Sequence, residues 1–272
     1  MTEQRMTEQR IELNGAPANV EDLRAIALVN YGHFTSMQVR RGCVRGLDLH
    51  LDRLARATWD LFGRPLDLEA TRGWMHRIVG GDVSALSLRV NVFSHTLDRD
   101  HMNEPATPDV LVATTAARTI EPSPLHVRSV RYEREAPHIK HVGTFGLYHQ
   151  RRVAQALGYD DALFVDASSA ISEGTIWNVG FSDGERVVWP DAPALDGVSM
   201  RLLKAGLRQC GVPLVVRRIE LTEIASFRSA FFTNSSCIAC PIARIDSVDF
   251  EIDHVLLGLL EKACAINPWQ RL

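Results

Sequence analysis

Lysine is nearly absent from this sequence of 272 residues, although basic residues as a whole are not scarce. Of the 30 basic side chains 27 are arginine, and the three lysines are Lys140, Lys204 and Lys262. Because only lysine among these can lose its proton and attack a carbonyl, each of the three is a candidate nucleophile. Lys204 and Lys262 fall on the polar sides of amphipathic helices and are predicted to face water. Lys140 lies in a glycine-bearing segment without such a pattern, where an ordinary loop lysine is the alternative.

Several other features are missing, and each absence excludes a class of protein. The formal net charge is -3 and no five like charges stand together, which argues against a dedicated nucleic-acid or acidic-lipid binder. No stretch approaches the roughly 18 apolar residues of a membrane span, and the start has no apolar leader, so we expect a cytoplasmic protein. The five cysteines are scattered, which favours reduced thiols over a disulfide framework. A small-molecule partner is the expectation that remains, with neither nucleic acid nor membrane bound.

The common templates for metal, nucleotide and nucleophile sites are also missing. HExxH, GxxxxGK[ST], GxGxxG and GxSxG do not occur in the sequence. Cys237-x-x-Cys240 stands alone, and its cysteines are expected to pack as small apolar residues rather than to bind a metal or act in redox chemistry. His138, His141 and His149 have no acidic residue at a matching short spacing. The sequence therefore predicts no metal site.

The pattern of apolar residues divides the chain into two parts. Within residues 47–61 the apolar side chains recur at helical spacing, and within residues 86–92 apolar and polar side chains alternate, as in a half-buried strand. Two prolines in TIEPSP interrupt this pattern, and we place an interdomain linker at residues 118–125. The predicted fold class is α/β (α+β), with a smaller N-terminal domain over residues 1–117 and a larger C-terminal domain over residues 126–272. The larger domain is predicted to contain helices at 145–157, 199–209 and 253–265, and strands at 162–166, 177–181, 186–189, 213–216 and 230–233.

Four segments, taken together and in order, resemble the fold-type IV family of pyridoxal phosphate enzymes. This family contains the class IV aminotransferases, with the D-amino-acid and branched-chain aminotransferases, and the aminodeoxychorismate lyases. The resemblance covers most of the chain and implies a two-domain, D-amino-acid-aminotransferase-like architecture and a homodimer. The four segments are GHFTSMQVRRGCVRGLDLHLDRLARA (32–57), PHIKHVGTFGLYHQRRVAQALGYDDALFVDASSAISEGTIWNVGF (137–181), LDGVSMR (195–201) and FFTNSSCIACPI (231–242).

This resemblance implies a site for pyridoxal 5'-phosphate. Lys140 matches the lysine whose amine forms a Schiff base with the cofactor and then moves the substrate's α-proton. Glu173 matches the carboxylate that pairs with the pyridine nitrogen and keeps it protonated, so that the ring can accept electrons. Arg53 matches the phosphate-binding arginine, and a helix that starts after a glycine turn offers further donors to a dianion. The other cofactor-binding residues implied in this way are Val198, Ser199, Ser235 and Ser236.

The resemblance also implies where a substrate would bind. Arg99 and His101 match the Arg-x-His of D-amino-acid aminotransferases, in which the pair traps the substrate carboxylate. Phe34 and Thr35 stand where those enzymes carry a carboxylate-binding Tyr and a Glu, so the pocket departs from the usual pattern. For Arg99 and His101, ordinary solvation in a polar loop is the alternative.

The expected reaction is transfer of an amino group between an amino acid, or another primary amine, and a 2-oxo acid. The segments Phe34–Ser36 and Ile139–His141 are similar to those of some lyases, so an aminodeoxychorismate lyase that eliminates pyruvate remains an alternative. A cofactor-binding relative without turnover is a third hypothesis, against which the presence of both Lys140 and Glu173 argues. Residues that bind the cofactor serve both reactions and therefore do not separate transaminase from lyase.

Overall fold

The computed structural model describes residues 9–80, 85–117 and 123–272. Its helices are α1 (Val20–Val29), α2 (Leu47–Phe62), α3 (Leu68–Val79), α4 (Phe145–Ala156), α5 (Val198–Gln209) and α6 (His254–Ile266), with a 3-10 helix at Leu221–Ser226. Its strands are β1 (Ile11–Leu13), β2 (Ala16–Pro17), β3 (His33–Arg40), β4 (Cys43–Arg45), β5 (Ala85–Phe93), β6 (Asp109–Ala116), β7 (Leu125–Arg131), β8 (Asp161–Val165), β9 (Ile171–Gly174), β10 (Asn178–Ser182), β11 (Val187–Pro190), β12 (Leu214–Arg217), β13 (Ser229–Thr233), β14 (Cys240–Ile245), β15 (Val248–Asp249) and β16 (Trp269–Arg271).

The chain forms two compact units that differ in one respect from the two predicted domains. Two short segments that the sequence analysis placed in the larger domain belong to the first unit, because backbone hydrogen bonds tie them there. Phe34 N donates to Lys140 O at 2.9 Å, and β16 pairs antiparallel with β4. The predicted linker falls partly on residues 118–122, which lie outside the described residues. The first unit comprises Met1–Arg118, Ile139–Gly143 and Pro268–Leu272, and the second comprises Thr119–His138 and Thr144–Asn267.

The first unit is built on a seven-stranded antiparallel sheet in the order β16-β4-β3-β5-β6-β1-β2. Alternate residues of β5 enter its core, which explains the two-residue period of residues 86–92 in the sequence. Helix α2 buries Leu54 completely and also turns His50 and Arg53 inward. With Thr58, which is also buried, its inner face therefore mixes apolar packing with three polar side chains.

The second unit is built on a nine-stranded mixed sheet. Its strands follow the order β12-β11-β10-β13-β14-β7-β8-β9, and β15 pairs with β14. Strands β7 and β8 run parallel to one another, whereas β10, β13 and β14 pair antiparallel. Helices α5 and α6 bury Leu203, Leu207 and Leu260 in one apolar cluster with Trp189. The predicted helices and strands of this part are found with small changes at their ends.

Two cysteines depart from the reduced state expected from the sequence. Cys237 and Cys240 are joined by a disulfide, with their Cα atoms 6.1 Å apart. The turn between β13 and β14 brings the two residues within the range that a disulfide requires. The scatter of the five cysteines along the chain does not describe this pair, which is three residues apart. Both are buried and contribute to the apolar core, as predicted. Cys43 and Cys210 are free thiols.

Lys204 also departs from its prediction, whereas Lys262 is exposed as expected. The Lys204 ammonium lies 5.4 Å from the ring centroid of Trp189 and is half-buried. Burial lowers the pKa of this ammonium below its usual range. Lys204 is therefore a second lysine that needs testing beside Lys140.

Among the described helices, none combines the length and the apolar character needed to cross a membrane. The cytoplasmic location stays a prediction.

Candidate active site

Lys140 is held beside the start of β3 by a backbone hydrogen bond to its own carbonyl and by a second one two residues further on. Phe34 N donates to Lys140 O, and Val142 N donates to Gly32 O, each at 2.9 Å. His33 and His141 form an isolated antiparallel bridge in the same place. The segment therefore acts as a short addition to the sheet, which fixes the backbone of Lys140 more firmly than an ordinary loop would.

Two cationic side chains contact the ring of Phe34. The Lys140 ammonium lies 4.9 Å from the ring centroid, and the Arg89 guanidinium carbon lies 3.7 Å from it. Such contacts are attractive because the face of an aromatic ring is electronegative. Phe34, predicted as a substrate-binding residue, thus neighbours the candidate nucleophile, and Arg89 is a neighbour that sequence reasoning missed.

Arg53 is buried in a polar cluster between α2 and β3. Its Nη2 donates to the Thr35 hydroxyl and lies 3.5 Å from His50 Nδ1. The Thr35 Oγ1 and His50 Nδ1 atoms are 2.6 Å apart. Burial, followed by the charges of Arg53 and Lys140, holds the pKa of His50 well below its usual 6.5. His50 is therefore neutral, and it contacts both of two predicted residues, Arg53 and Thr35, which are also hydrogen-bonded to each other.

A second histidine in this region is neutral for the same physical reason. Burial, followed by the charge of Arg53, lowers the pKa of His33 to about 3. His33 Nε2 lies 2.9 Å from Thr58 Oγ1, and the Thr58 hydroxyl donates to Leu54 O at 2.8 Å. The only hydrogen of the Thr58 hydroxyl is donated to Leu54 O, so the hydroxyl oxygen must accept the hydrogen bond from His33. His33 therefore carries its hydrogen on Nε2.

Glu173 lies on β9 in the second unit and is almost completely buried. Arg134 Nη1 donates to Glu173 Oε1 at 3.4 Å, and both side chains are 5% exposed. A buried carboxylate needs such a partner because the cost of removing its charge from water is several kcal/mol. The ion pair thus places a negative charge inside this unit, at the residue predicted to face the pyridine nitrogen.

The turn that follows Glu173 is anchored by Asp161. Its carboxylate accepts hydrogen bonds from Thr175 Oγ1 at 2.7 Å and from Trp177 Nε1 at 2.8 Å, and it pairs with Arg151. Gly174 suits this turn because a Cβ there would lie 2.1 Å from the Trp177 ring. The sequence analysis did not single out Asp161, although it begins a strand that was predicted.

The start of α5 and the serine pair after β13 lie together in the second unit. Ser199 Oγ donates to Asn234 O at 2.9 Å, and Asn234 Oδ1 accepts from Ser236 N at 2.8 Å. Gly197 precedes the helix, and a Cβ at that position would lie 2.1 Å from Asn178 Oδ1. The first turn of α5 and the turn at Ser235 are thus held side by side, as an anion site built from both requires.

Arg99 and His101 lie in an exposed loop between β5 and β6. His101 Nδ1 is 2.8 Å from Asp98 Oδ2, and this hydrogen bond lowers the pKa of Asp98. Arg99 borders a surface cavity of about 310 Å³ formed with α1. The role of the pair in substrate binding stays a prediction.

The structure thus brings the predicted residues together in three groups. Lys140 lies with Phe34, Thr35 with Arg53, and Val198 and Ser199 with the turn at Ser235 and Ser236. The convergence of Arg53 with α5 stays a prediction. Sequence reasoning missed His50, although it stands three residues before Arg53 and therefore on the same helix face. In the part of the chain that the structure describes, no cluster of three or more His, Cys, Asp or Glu side chains could hold a metal ion.

The family model for Amino-transferase class IV matches residues 32–245 of this chain. Because this match spans more than half of the sequence, the chain belongs to that family. Family membership confirms the resemblance, and with it the predicted function at the level of a class IV aminotransferase.

Individual relatives extend the likeness in sequence and in fold. The chain is 26% identical over 247 residues to an aminodeoxychorismate lyase of Bacillus subtilis, covering 82% of this chain and 80% of that one. It is 31% identical over 100 residues to a "Probable branched-chain-amino-acid aminotransferase" of Rickettsia felis, but that match covers 36% of this chain and only about a third (33%) of the relative. The structure of a branched-chain amino acid aminotransferase from T.th., complexed with N-(5'-phosphopyridoxyl)-L-glutamate, superposes with a TM-score of 0.80 at 18% identity over 95% of this chain and 94% of that one. The last comparison confirms the predicted fold class.

Proposed function

We propose that this protein is a pyridoxal 5'-phosphate-dependent aminotransferase that moves an amino group between an amino acid, or another primary amine, and a 2-oxo acid. The observation that carries the proposal is the placement of Lys140, the lysine of the family motif, on a segment fixed to the sheet beside Phe34. Family membership and the relative crystallised with a phosphopyridoxyl amino acid support the choice of cofactor.

The residues present fit that cofactor on three counts. Lys140 offers an amine for its aldehyde, and Glu173 offers a buried carboxylate for a protonated ring nitrogen. No side chain of the described residues caps the start of α5 after Gly197, so the backbone amides of its first turn can donate to a phosphate. When bound, the cofactor supplies the electron sink that makes the substrate's α-proton removable.

In this proposal each residue has a physical task. Lys140 holds the cofactor covalently and afterwards carries the α-proton on its Nζ. Glu173 holds the ring nitrogen in its protonated form, and Arg134 keeps that carboxylate charged and oriented. Arg53 binds the phosphate as a fixed cation, with the α5 amides, Ser235 and Ser236 as further donors. Phe34 covers one side of the lysine with an apolar ring and keeps water away from it.

An aminodeoxychorismate lyase is the second candidate. The similarity to the Bacillus subtilis lyase over most of both chains favours it. Incubation of the holoenzyme with a panel of amino acids, without a 2-oxo acid acceptor, separates the two functions. A transaminase converts the bound cofactor to its pyridoxamine form, which is seen as a lasting change in absorption. A lyase releases pyruvate from aminodeoxychorismate and leaves the spectrum of the resting enzyme unchanged.

The position of the cofactor is tested by borohydride reduction and peptide mapping. We expect the label on Lys140 and its loss in Lys140→Ala. Lys204→Ala is the matched control, since Lys204 is also partly buried with a lowered pKa. A label on Lys204, or no label at all, would overturn the proposal. A homodimer remains the predicted assembly, and sedimentation of the holoenzyme measures it.

A further inference from the structure

Thr35, His50 and Arg53 form one connected polar chain inside the first unit. Their exposed fractions are 0%, 3% and 9%, so water does not compete for their hydrogen bonds. Thr35 lies on β3, whereas His50 and Arg53 lie three residues apart on the buried face of α2. The Thr35 hydroxyl is in contact with both of the other side chains.

The direction of each hydrogen bond follows from the chemistry of the groups. A guanidinium only donates, so the Thr35 oxygen accepts from Arg53 Nη2. The Thr35 hydroxyl then has one hydrogen to give, and His50 Nδ1 lies 2.6 Å away. A hydrogen on Nδ1 would face the Arg53 Nη2 donor at 3.5 Å, which is unfavourable. His50 Nδ1 is therefore the acceptor, and the chain runs from Arg53 through Thr35 to His50.

We propose that Thr35 and His50 are positioning residues that orient the Arg53 guanidinium for an anionic ligand, the phosphate of the cofactor. Thr35 was predicted from the sequence to bind substrate, but its buried hydroxyl is engaged on both sides. This inference rests on the proposed function, because Arg53 binds a phosphate only if the protein binds pyridoxal phosphate. A neutral acceptor at the end of the chain fixes the direction of the guanidinium without neutralising its charge.

The first unit contains a matched control pair, Thr58 and His33. Both are buried, and His33 Nε2 contacts the Thr58 hydroxyl at 2.9 Å. In this pair His33 donates to the Thr58 hydroxyl, and the hydroxyl donates to the Leu54 carbonyl. These two hydrogen bonds do not involve Arg53. A merely structural role for buried threonine–histidine pairs would make the two pairs behave alike.

The test compares the affinity of each variant for pyridoxal 5'-phosphate with its affinity for pyridoxal, which lacks the phosphate. Thr35→Val removes the hydroxyl with little change in volume, and we expect it to weaken phosphate-ester binding about tenfold while pyridoxal binding stays unchanged. Thr35→Ser keeps a hydroxyl, and with it the wild-type ratio of the affinity for pyridoxal 5'-phosphate to the affinity for pyridoxal. His50→Asn lowers this ratio, whereas Thr58→Val and His33→Asn leave it at the wild-type value.

A second measurement does not require the cofactor. Nitrogen-15 NMR of the apo protein reports which imidazole nitrogen carries hydrogen, and we expect His50 to be unprotonated at Nδ1. An Nδ1–H signal for His50, or an unchanged affinity ratio in Thr35→Val, overturns the positioning role. If wild-type protein binds the cofactor on Lys140 while the ratio does not change, only this inference fails. If wild-type protein takes up no cofactor on Lys140, the proposed function fails and this inference fails with it.

Discussion

Arg53 in the first unit and Arg151 in the second both carry a guanidinium that loses most of its contact with water on folding. The hydrogen bonds described above for Arg53 end on a hydroxyl and a neutral imidazole. Arg151 instead donates to the carboxylate of Asp161, which also accepts from Thr175 and Trp177. The second arrangement supplies a countercharge to its arginine, whereas the two contacts described for Arg53 fix the direction of the guanidinium.

This difference suggests different roles for the Arg53 cluster, formed with Thr35 and His50, and the Asp161 cluster, formed with Arg151, Thr175 and Trp177. Removing the carboxylate from a set of several donors destabilises the fold strongly, because it leaves a buried charge without compensation. Contacts with a hydroxyl and a neutral imidazole orient the Arg53 guanidinium, and in the proposed function the phosphate is the anion that it meets. Stability measurements should therefore respond mainly to the Asp161 cluster, and ligand affinity to the Arg53 cluster.

The largest effect is expected for Asp161→Ala. The substitution leaves the Arg151 charge and the Thr175 and Trp177 donors without their acceptor, so we expect the free energy of unfolding to fall by about 3–5 kcal/mol. Urea denaturation of the apo protein measures it. A loss below about 1 kcal/mol would show that the cluster is not the internal compensation described here.

Thr175→Val should have the next largest effect. It removes one hydrogen bond to a charged acceptor at 2.7 Å, so we expect a loss of about 1.5–3 kcal/mol in unfolding free energy. The ratio of affinities for pyridoxal phosphate and pyridoxal should remain that of wild type, in contrast to Thr35→Val. A change in that ratio for Thr175→Val would remove the distinction between the two clusters.

The two buried histidines predict a pH dependence that belongs to the first unit. The unfolded chain binds a proton on each imidazole below about pH 6.5, whereas folded His33, with a pKa of about 3, does not. Since the unfolded state then binds more protons, stability falls as the pH falls from about 6.5 towards 3. Each histidine contributes a slope of up to about 1.4 kcal/mol per pH unit in that window. His33→Asn should reduce the slope between about pH 6.5 and 5, and a slope equal to that of the wild type would contradict a neutral, buried His33.

The smallest effect is expected at a surface ion pair. Arg244 and Asp249 lie 2.5 Å apart, but their side chains are 46% and 69% exposed. Water and salt screen such a pair, so Asp249→Ala should leave the unfolding free energy equal to that of the wild type within experimental error. The same denaturation series gives this value, and a loss as large as that of Asp161→Ala would mean that burial does not separate the clusters.

Sequence periodicity predicted the elements that bury a regular face. Helices α2 and α5 and strand β5 show their patterns because one side of each enters a core. Helix α1 was missed because it buries no residue and has no such face. Its capping box, in which Asn19 and Asp22 bond each other's backbone, was the local signal that could have revealed it.

The residues of the candidate site likewise fall into those that the sequence indicated and those that it did not. Lys140 and Glu173 were identifiable because short motifs surround them, and Arg53 because it belongs to HLDRL. His50 lies within that same motif, but its role depends on Thr35, which approaches from a separate strand. Arg134 and Asp161 were missed because their importance comes from a carboxylate or a donor that tertiary folding brings near. The spacing of residues along the chain does not indicate these tertiary contacts.

The pairing of β16 with β4 has a consequence for the order of events during synthesis. Strand β16 and Leu272, which is buried in the core of the first unit, follow the whole second unit in the sequence. The Lys140 segment also reaches the first unit from the middle of the chain. A ribosome-bound chain that has reached residue 118 therefore cannot complete its first unit, and its sheet still exposes the edge of β4. Completion must wait for residues 268–272, so the unit that carries Lys140 closes only after the second unit has been synthesised.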